Sequence, residues 1–270
     1  MNSVAVTNLT IDTHAHLDEV EHPDQAIEVA REAGLLAIVA VGMGYESNHK
    51  TLELAAKHRG FIFPALGLHP GEISKELPNL EKSLGFIEDN LHSAIAVGEV
   101  GLDYDKRVRA LADKDTQQSV LRDLLAIAKK HNLPVSLHNR YAWKDSLEMV
   151  VKAGLPSVVF HWFTGSSSAL DALVAAGYHI SATPAAEYHQ EHRRAIKEAP
   201  LSSLLLETDC PVEYGRESRF RSAPEHIFKS LEAVPEVRGL DQVAVAEQTT
   251  GNAIGFFGLG RLFRRPFTSC

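Results

Sequence analysis

The feature that most constrains the fold is a regular alternation of short apolar segments with longer amphipathic ones. The apolar segments have the length and composition of buried strands, and the segments between them have the periodicity of surface helices. The apolar segments lie at residues 8–14, 35–42, 61–69, 93–100, 133–138, 157–163, 178–183 and 201–209. Helices are also predicted near 222–234 and 241–257. The alternation predicts a parallel sheet covered by helices.

Two architectures share this alternation, the (β/α)8 TIM barrel and the doubly wound open sheet. A chain of 270 residues has the usual size of the barrel, and no linker or low-complexity stretch divides it. No Gly-x-Gly-x-x-Gly motif follows a strand to favour the open sheet. We therefore predict an α/β protein with a single domain, residues 1–270, folded as a (β/α)8 TIM barrel.

Charge and cysteine content exclude several classes of protein. The formal net charge of −8 provides no global positive field for nucleic acid, so a phosphate-bearing substrate must be held locally. Two cysteines provide neither a disulfide framework nor a cysteine-rich zinc motif. The N-terminus lacks a signal-peptide pattern, and the longest apolar run, LLAIVAVGMG, is too short to cross a bilayer. These features predict a cytoplasmic protein with no membrane partner and no obligate protein partner.

Polar side chains stand at the ends of most of the predicted strands. In a TIM barrel the active site lies at the carboxyl ends of the strands, so residues at these positions come together. They are Asp12, His14 and His16 on the first strand, His69 on the third, Glu99 on the fourth, His138 on the fifth, His161 on the sixth and Asp209 on the eighth. Because buried polar groups are costly unless they are satisfied, this convergence indicates a bound cation or a catalytic task.

Each of these residues has an ordinary explanation on its own. With 14 histidines in the chain, about 0.7 His-x-His pairs are expected by chance, so His14 and His16 alone are weak evidence. A single buried histidine is more often a core residue than a ligand, and an aspartate such as Asp209 often caps a turn. Chance explains poorly why such residues recur at matching ends of different strands.

The number of donors predicts two cations. Even four of these imidazoles and two of the carboxylates exceed what one tetrahedral zinc takes, whereas they suit two ions that share a carboxylate. Mixed nitrogen and oxygen ligands suit zinc, manganese, iron or cobalt better than calcium. Two-metal centres of this kind hydrolyse phosphate esters and amides, so the donor set favours a hydrolase.

Taken together, the motifs resemble the TatD family of metal-dependent hydrolases. DTHAHLD, LGLHP, GEVGLDY, LPVSLHNR, HWFTGS, ISAT and LLLETDCP stand in the order and spacing of that family, over nearly the whole chain. The resemblance implies an amidohydrolase-type TIM barrel with two divalent ions (zinc, magnesium or manganese) and deoxyribonuclease activity. It implies that His14, His16, Glu99 and Asp209 hold one ion and that Glu99, His138 and His161 hold the second, with Glu99 bridging. It also implies that His69 contacts the substrate phosphate.

The positions that face the substrate depart from the family pattern. Members often carry Ser-Pro-Tyr or Ala-Pro-Tyr after the last metal-ligand aspartate, whereas this chain has DCPVEYG. Arg140 and, in the loop GRESRFR, Arg219 are candidates for binding phosphate, with a solvated surface role as the alternative. Trp162 and Phe163 are candidates for stacking a base, although packing beneath the site is the favoured interpretation.

The predicted function is hydrolysis of phosphodiester bonds at single-stranded DNA ends by a metal-activated water. Asp209 and Glu99 are the predicted catalytic residues, and Asp209 orients the water and accepts its proton. The alternative is a hydrolase of carboxylic esters or amides, such as a lactonase or an aminoacyl-tRNA deacylase, which the acidic net charge mildly favours. A non-catalytic metal-binding barrel is the third possibility, and the complete donor set argues against it.

Overall fold

A computed structural model describes residues 10–261, and eight parallel strands form its central sheet. Each strand pairs with its neighbour in chain order, so the sheet curls into a barrel. The strands are β1 Thr10–Ala15, β2 Leu35–Val41, β3 Ile62–Leu66, β4 Ala96–Asp103, β5 Val135–Arg140, β6 Val158–Phe160, β7 His179–Ala182 and β8 Leu204–Leu206. The predicted (β/α)8 architecture is confirmed. Residues 8 and 9 of the first predicted strand, and both ends of the predicted 1–270 domain, lie outside the described residues.

Helices connect the strands and cover the outside of the barrel. They are α1 Pro23–Ala33, α2 Tyr45–Lys57, α3 Ile73–Glu76, α4 Leu80–Asn90, α5 Lys106–Arg109, α6 Lys114–His131, α7 Trp143–Ala153, α8 Ser167–Ala175, α9 Gln190–Glu198, α10 Ile227–Arg238 and α11 Gln242–Phe256. The predicted helix from residue 222 begins later, at Ile227, because Pro224–His226 first form a single 3-10 turn. Between residues 10 and 261, no helix has the length and apolar character needed to cross a membrane.

Backbone hydrogen bonds just beyond β8 close the barrel onto β1. Ala15 pairs with Cys210 in parallel. The His16 N–H donates to the Cys210 carbonyl oxygen at 2.8 Å, and the Asp209 N–H donates to the His14 carbonyl oxygen at 2.9 Å. The first and last polar segments identified from the sequence therefore lie side by side. A small hairpin follows, formed by β9 (Glu213–Tyr214) and β10 (Phe220–Arg221).

Among the strands whose ends differ from the predicted ranges, β4 and β8 affect the site most directly. β4 continues beyond residue 100, so Glu99 lies inside the strand rather than at its end. Gly101 permits this, because its φ is +155° and a Cβ there would lie 1.9 Å from the His138 carbonyl oxygen. β8 ends at Leu206, and Asp209 lies beyond it with a φ of +49°. This left-handed conformation is incompatible with a continuing strand.

Small and branched apolar side chains form a cluster inside the barrel. Its members from β2, β3 and β8 include Ala37, Val39, Val41, Ala65 and Leu205. Phe256 and Phe257, at the end of α11, pack on this cluster. The Phe256 ring also contacts the His179 ring where β7 begins, with centroids 5.2 Å apart. α11 therefore covers the amino ends of the strands, and the polar residues lie at the opposite end.

His192 in α9 connects the segments that follow β6 and β7. The ring is fully buried, its Nδ1 lies 2.9 Å from the Phe163 carbonyl oxygen, and its Nε2 accepts a hydrogen bond from the Thr183 N–H at 3.1 Å. These two contacts require the neutral ring with its proton on Nδ1. Burial lowers the pKa of His192 from 6.5 to about 4.

The lowered pKa of His192 predicts a loss of stability in acid. Since the unfolded chain binds the proton more tightly, the stabilisation is complete above about pH 6.5 and is lost as the pH falls towards 4. We expect the free energy of unfolding to fall by about 2 kcal/mol more between pH 7 and pH 5 in the wild type than in His192→Gln. Urea unfolding of both proteins measures this difference, and parallel pH profiles would contradict the prediction.

Candidate metal centre

The carboxyl ends of the strands bring the six predicted metal ligands into one cluster. In chain order they are His14 and His16 at the end of β1, Glu99 in β4, His138 in β5, His161 after β6 and Asp209 after β8. All are buried except His138, which is partly exposed. Because they come from five different strands, the barrel itself sets their relative positions.

Glu99 lies at the centre of the cluster, and each of its carboxylate oxygens faces a different pair of imidazoles. Its Oε2 lies 3.5 Å from His14 Nε2 and 3.3 Å from His16 Nε2. Its Oε1 lies 2.8 Å from both His138 Nδ1 and His161 Nε2. One carboxylate therefore connects two separate groups of donors.

Asp209 completes the group on the Oε2 side of Glu99. Its Oδ1 lies 3.3 Å from His16 Nε2 and 3.6 Å from His14 Nε2. Those two imidazole nitrogens are 3.2 Å apart. His14, His16 and Asp209 each offer a ligand atom, and these atoms all lie within 4.8 Å of one another, as a shared cation requires.

His69 follows β3 and lies on the Oε1 side of Glu99. Its Nε2 is 3.7 Å from Glu99 Oε1, and its ring is 4.3 Å from the ring of His138. Burial lowers the pKa of His69 to about 3, so the ring is neutral, and its Nδ1 accepts a hydrogen bond from the Gly71 N–H at 3.0 Å. The proton is then on Nε2, which suits donation to an anion better than metal binding. Contact between His69 and substrate phosphate stays a prediction.

Two further contacts orient the imidazoles at the end of β1. His14 Nδ1 lies 3.1 Å from Ser136 Oγ in β5, and His16 Nδ1 lies 3.1 Å from the Val41 carbonyl oxygen in β2. In both rings the other nitrogen, Nε2, then faces Glu99. Partners of this kind set the tautomer and orientation of a metal-binding imidazole.

Two carboxylates that the sequence analysis did not select lie behind the other imidazoles. Glu207 Oε1 is 3.4 Å from His161 Nδ1, and Asp103 Oδ2 is 3.5 Å from His138 Nε2. Glu207 also accepts a hydrogen bond from the Trp162 N–H at 2.9 Å. Asp103 stands in the motif GEVGLDY and Glu207 in LLLETDCP. The available signal was that each is an acidic residue within four positions of a predicted ligand, Glu99 or Asp209.

Asp12 lies behind the cluster and joins β1 to the segment after β8. Its Oδ1 accepts hydrogen bonds from the His14 N–H at 3.2 Å and the Thr208 N–H at 3.0 Å. The Thr208 hydroxyl donates to Oδ2 at 2.5 Å. Burial raises the pKa of Asp12 to about 8. Asp12 therefore positions the backbone on which His14 is held.

The electrostatics of the cluster suit a divalent cation. Burial alone would raise the pKa of Glu99, but the surrounding histidines hold it well below its usual range. Burial alone would lower the pKa values of His16 and His161, yet the facing carboxylates raise both well above the ordinary value. Protons on the imidazoles thus balance the negative charge of the carboxylates. A divalent ion that binds to the same nitrogen and oxygen atoms supplies this positive charge in place of the protons. The nitrogen and oxygen donors fit zinc or manganese.

A cavity of about 400 Å³ opens onto the cluster. Its wall includes Asp209, His138 and His161 together with Arg140 and Trp162. Arg140, a candidate for binding phosphate, therefore lies in the wall of the cavity that opens onto the cluster. Trp162 lines the cavity while its ring packs against the Tyr214 ring, with centroids 5.3 Å apart, and the neighbouring side chain at position 163 is buried.

Arg219 is a predicted site residue that the structure brings neither to the cavity nor to the cluster of histidines and carboxylates. Its side chain is exposed in the loop between β9 and β10, where Nη1 lies 3.7 Å from Glu213 Oε2. A role of Arg219 in substrate binding stays a prediction. Cys210, next to Asp209, is fully buried, and burial raises the pKa of its thiol well above the usual range. A thiolate nucleophile is therefore disfavoured there.

The chain is similar to known proteins over nearly its whole length. The family model described as TatD related DNase matches residues 11–258. Deoxyribonuclease TATDN3 of Homo sapiens is 33% identical over 258 residues, which cover 92% of this chain and 94% of the relative. The 3'-5' ssDNA/RNA exonuclease TatD of Erwinia amylovora is 30% identical over 247 residues, covering 87% of this chain and 93% of the relative. The crystal structure of YjjV, a TatD homologue from Escherichia coli K12, has a TM-score of 0.84 at 29% identity and covers 93% of this chain and 99% of its own. The chain therefore belongs to the TatD family of metal-dependent hydrolases.

Proposed function

We propose that this protein hydrolyses phosphodiester bonds at the ends of single-stranded DNA, with two divalent ions bound at the barrel mouth. The observation that carries the proposal is Glu99, whose two carboxylate oxygens face two separate groups of imidazoles. The relatives named as a deoxyribonuclease and as an ssDNA/RNA exonuclease support the choice of substrate.

The proposed ligands fall on the two sides of Glu99. One ion would be held by His14, His16, Glu99 and Asp209, and the other by Glu99, His138 and His161. When bound, two divalent ions stabilise charge on the phosphate oxygens and lower the pKa of water at the site. Zinc, magnesium and manganese are the proposed ions.

Asp209 is the residue placed to take up a proton. It lines the cavity, and although burial alone would raise its pKa, the hydrogen bond from His16 and the nearby imidazoles keep it below the usual value. Its carboxylate is therefore ionised at neutral pH. With Oδ1 facing the imidazoles, Oδ2 is the atom that would orient a water in the cavity and accept its proton.

The shape and charge of the site favour a strand end as substrate. Three of the proposed ligands, His138, His161 and Asp209, line a cavity of about 400 Å³, a volume that suits a nucleotide. Since the chain has a net charge of −8, phosphate must be attracted locally. Arg140 in the cavity wall offers a planar set of donors for this purpose.

Hydrolysis of an internally labelled single-stranded oligonucleotide tests the proposal. Metal-stripped protein should be inactive, and refilling with Mg²⁺, Mn²⁺ or Zn²⁺ should restore the release of terminal nucleotides. A panel of carboxylic esters and lactones, tested with the same preparations, distinguishes the alternative function, ester or amide hydrolysis, from hydrolysis of DNA. Hydrolysis of esters without any cleavage of DNA would replace the proposed substrate class, whereas cleavage that persists without metal would reject the metal centre.

A further inference from the structure

Tyr141 is an exposed aromatic residue at the edge of the cavity. It follows Arg140 at the end of β5, three residues after His138, and it lines the cavity that opens onto the cluster. Its exposure is 68%, the highest among the large apolar and aromatic side chains within residues 10–261. The Arg140 guanidinium carbon lies 5.7 Å from the centre of this ring, and the exposed part of the ring is available to a ligand.

The backbone at Tyr141 adopts a conformation that a bulky residue rarely takes. Its φ is +57°, and the other non-glycine residues with positive φ within residues 10–261 are Asn132, Trp162 and Asp209. Asn132 ends α6, which is a common place for this conformation. The other three all line the same cavity. Uncommon backbone conformations of this kind cluster at ligand-binding sites, where they direct a side chain.

A second cavity, of about 580 Å³, adjoins the first and shares Tyr141 and Trp143 with it. Its wall also contains Lys114, Lys144 and Tyr104, and one carboxylate, Asp145, which accepts a hydrogen bond from the Tyr104 hydroxyl. The Lys144 side chain is 85% exposed, and its Nζ lies 3.8 Å from Glu148 Oε1. The two cavities thus meet at Tyr141 and Trp143, and the second one has two lysines in its wall. An extended, negatively charged strand matches this arrangement of charge.

We propose that Tyr141 stacks on a base of the single-stranded substrate and that the second cavity holds the adjacent nucleotides. This inference rests on the proposed function. Arg140 in the first cavity and Lys144 and Lys114 in the second would contact successive phosphates, while Tyr141 supplies a flat surface that every base can use. Stacking of this kind predicts that activity depends on the length of the DNA strand but not on its base sequence.

Substitutions at Tyr141 test the inference with two matched controls. Tyr141→Ala should lower kcat/KM on a single-stranded oligonucleotide about tenfold, mainly by raising KM, whereas Tyr141→Phe should stay close to the wild type. Tyr141→Gly should also raise KM but should not lower the midpoint of thermal unfolding, because glycine adopts positive φ without strain. Loss of activity together with a lower unfolding midpoint in both small variants would instead indicate a structural role and overturn the inference.

A set of oligonucleotides, each with one abasic position, identifies the stacked base. When the missing base is the one that stacks on Tyr141, the ratio of wild-type to Tyr141→Ala activity should fall to about one. When any other base is missing, the ratio should stay near ten. An equal ratio at every abasic position, or no effect of Tyr141→Ala on the intact strand, would overturn the inference.

Binding separates failure of this inference from failure of the proposed function. Fluorescence anisotropy with a phosphorothioate strand measures Kd for the wild type and Tyr141→Ala without cleavage. Binding without hydrolysis of normal DNA would reject the proposed function, and a Kd about tenfold higher for the variant would still support the stacking role. An unchanged Kd, or no binding by the wild type, would reject the stacking role.

Discussion

Glu99→Gln is expected to abolish hydrolysis, with a fall in kcat/KM on the order of 10³-fold or more. Both oxygens of Glu99 face imidazole nitrogens at 2.8–3.5 Å. Glutamine replaces one oxygen by an NH₂ group, which cannot bind a cation, and it removes the charge shared by the two proposed ions. A bound metal contributes several kcal/mol of charge stabilisation in the transition state, which corresponds to this loss of rate.

The control for Glu99→Gln is the same substitution at Glu53, an exposed residue of α2. Glu53→Gln should keep wild-type activity and metal content. Circular dichroism shows whether each variant is folded, and mass spectrometry of the native protein counts the bound ions. If Glu99→Gln retained two ions and more than a tenth of wild-type activity, Glu99 would not bridge the ions.

Asp209→Asn is expected to lower kcat by about 10²–10⁴-fold, the usual contribution of a general base, even at saturating metal. The amide cannot accept the proton from water, while the donors on the Oε1 side of Glu99 remain in place. Metal binding should weaken on the Oε2 side, where Asp209 Oδ1 lies 3.3 Å from His16 Nε2.

The activity of Asp209→Asn, measured at limiting and at saturating metal, separates the role of Asp209 as a metal ligand from its role as a proton acceptor. Asp171→Asn on the exposed face of α8 is the matched control and should leave both measurements unchanged. If excess metal restored Asp209→Asn to full activity, Asp209 would be a ligand without a role in proton transfer.

The sequence was sufficient to predict the barrel and the polar residues at its mouth, because both follow from local patterns. The alternation of strands and helices predicts the architecture, and the carboxyl ends of the strands then meet at one place. His14 and His138 are far apart in the chain, yet a correct fold class is enough to bring them together. This inference needs no knowledge of exact strand boundaries, and errors in the predicted strand ends, such as those of β4 and β8, did not affect it.

The contacts around the imidazoles could not be predicted in the same way. The partners of His14 and His138, which are Ser136 and Asp103, depend on the register of β4 and β5 against their neighbours. A register shift between Val97 and Val100 alters that relation, and the sequence pattern does not reveal it.

Loop residues were the least predictable part of the site. Arg140 and Arg219 were equivalent candidates from charge alone, but one lines the cavity and the other pairs with Glu213 on a hairpin. Tyr141 and Trp162 face the cavity from backbone conformations with positive φ. Tertiary contacts impose such conformations, since they are unfavourable locally.

The central claim is that a centre of two ions at the barrel mouth hydrolyses DNA. Its most direct test measures the rate of terminal nucleotide release while metal is returned to the stripped protein, with bound ions counted in the same samples. The rate should be negligible in metal-free protein, rise with bound metal and level off at two ions per chain. A rate that does not depend on metal, or one that reaches its maximum before any ion is bound at the cluster, would contradict the claim.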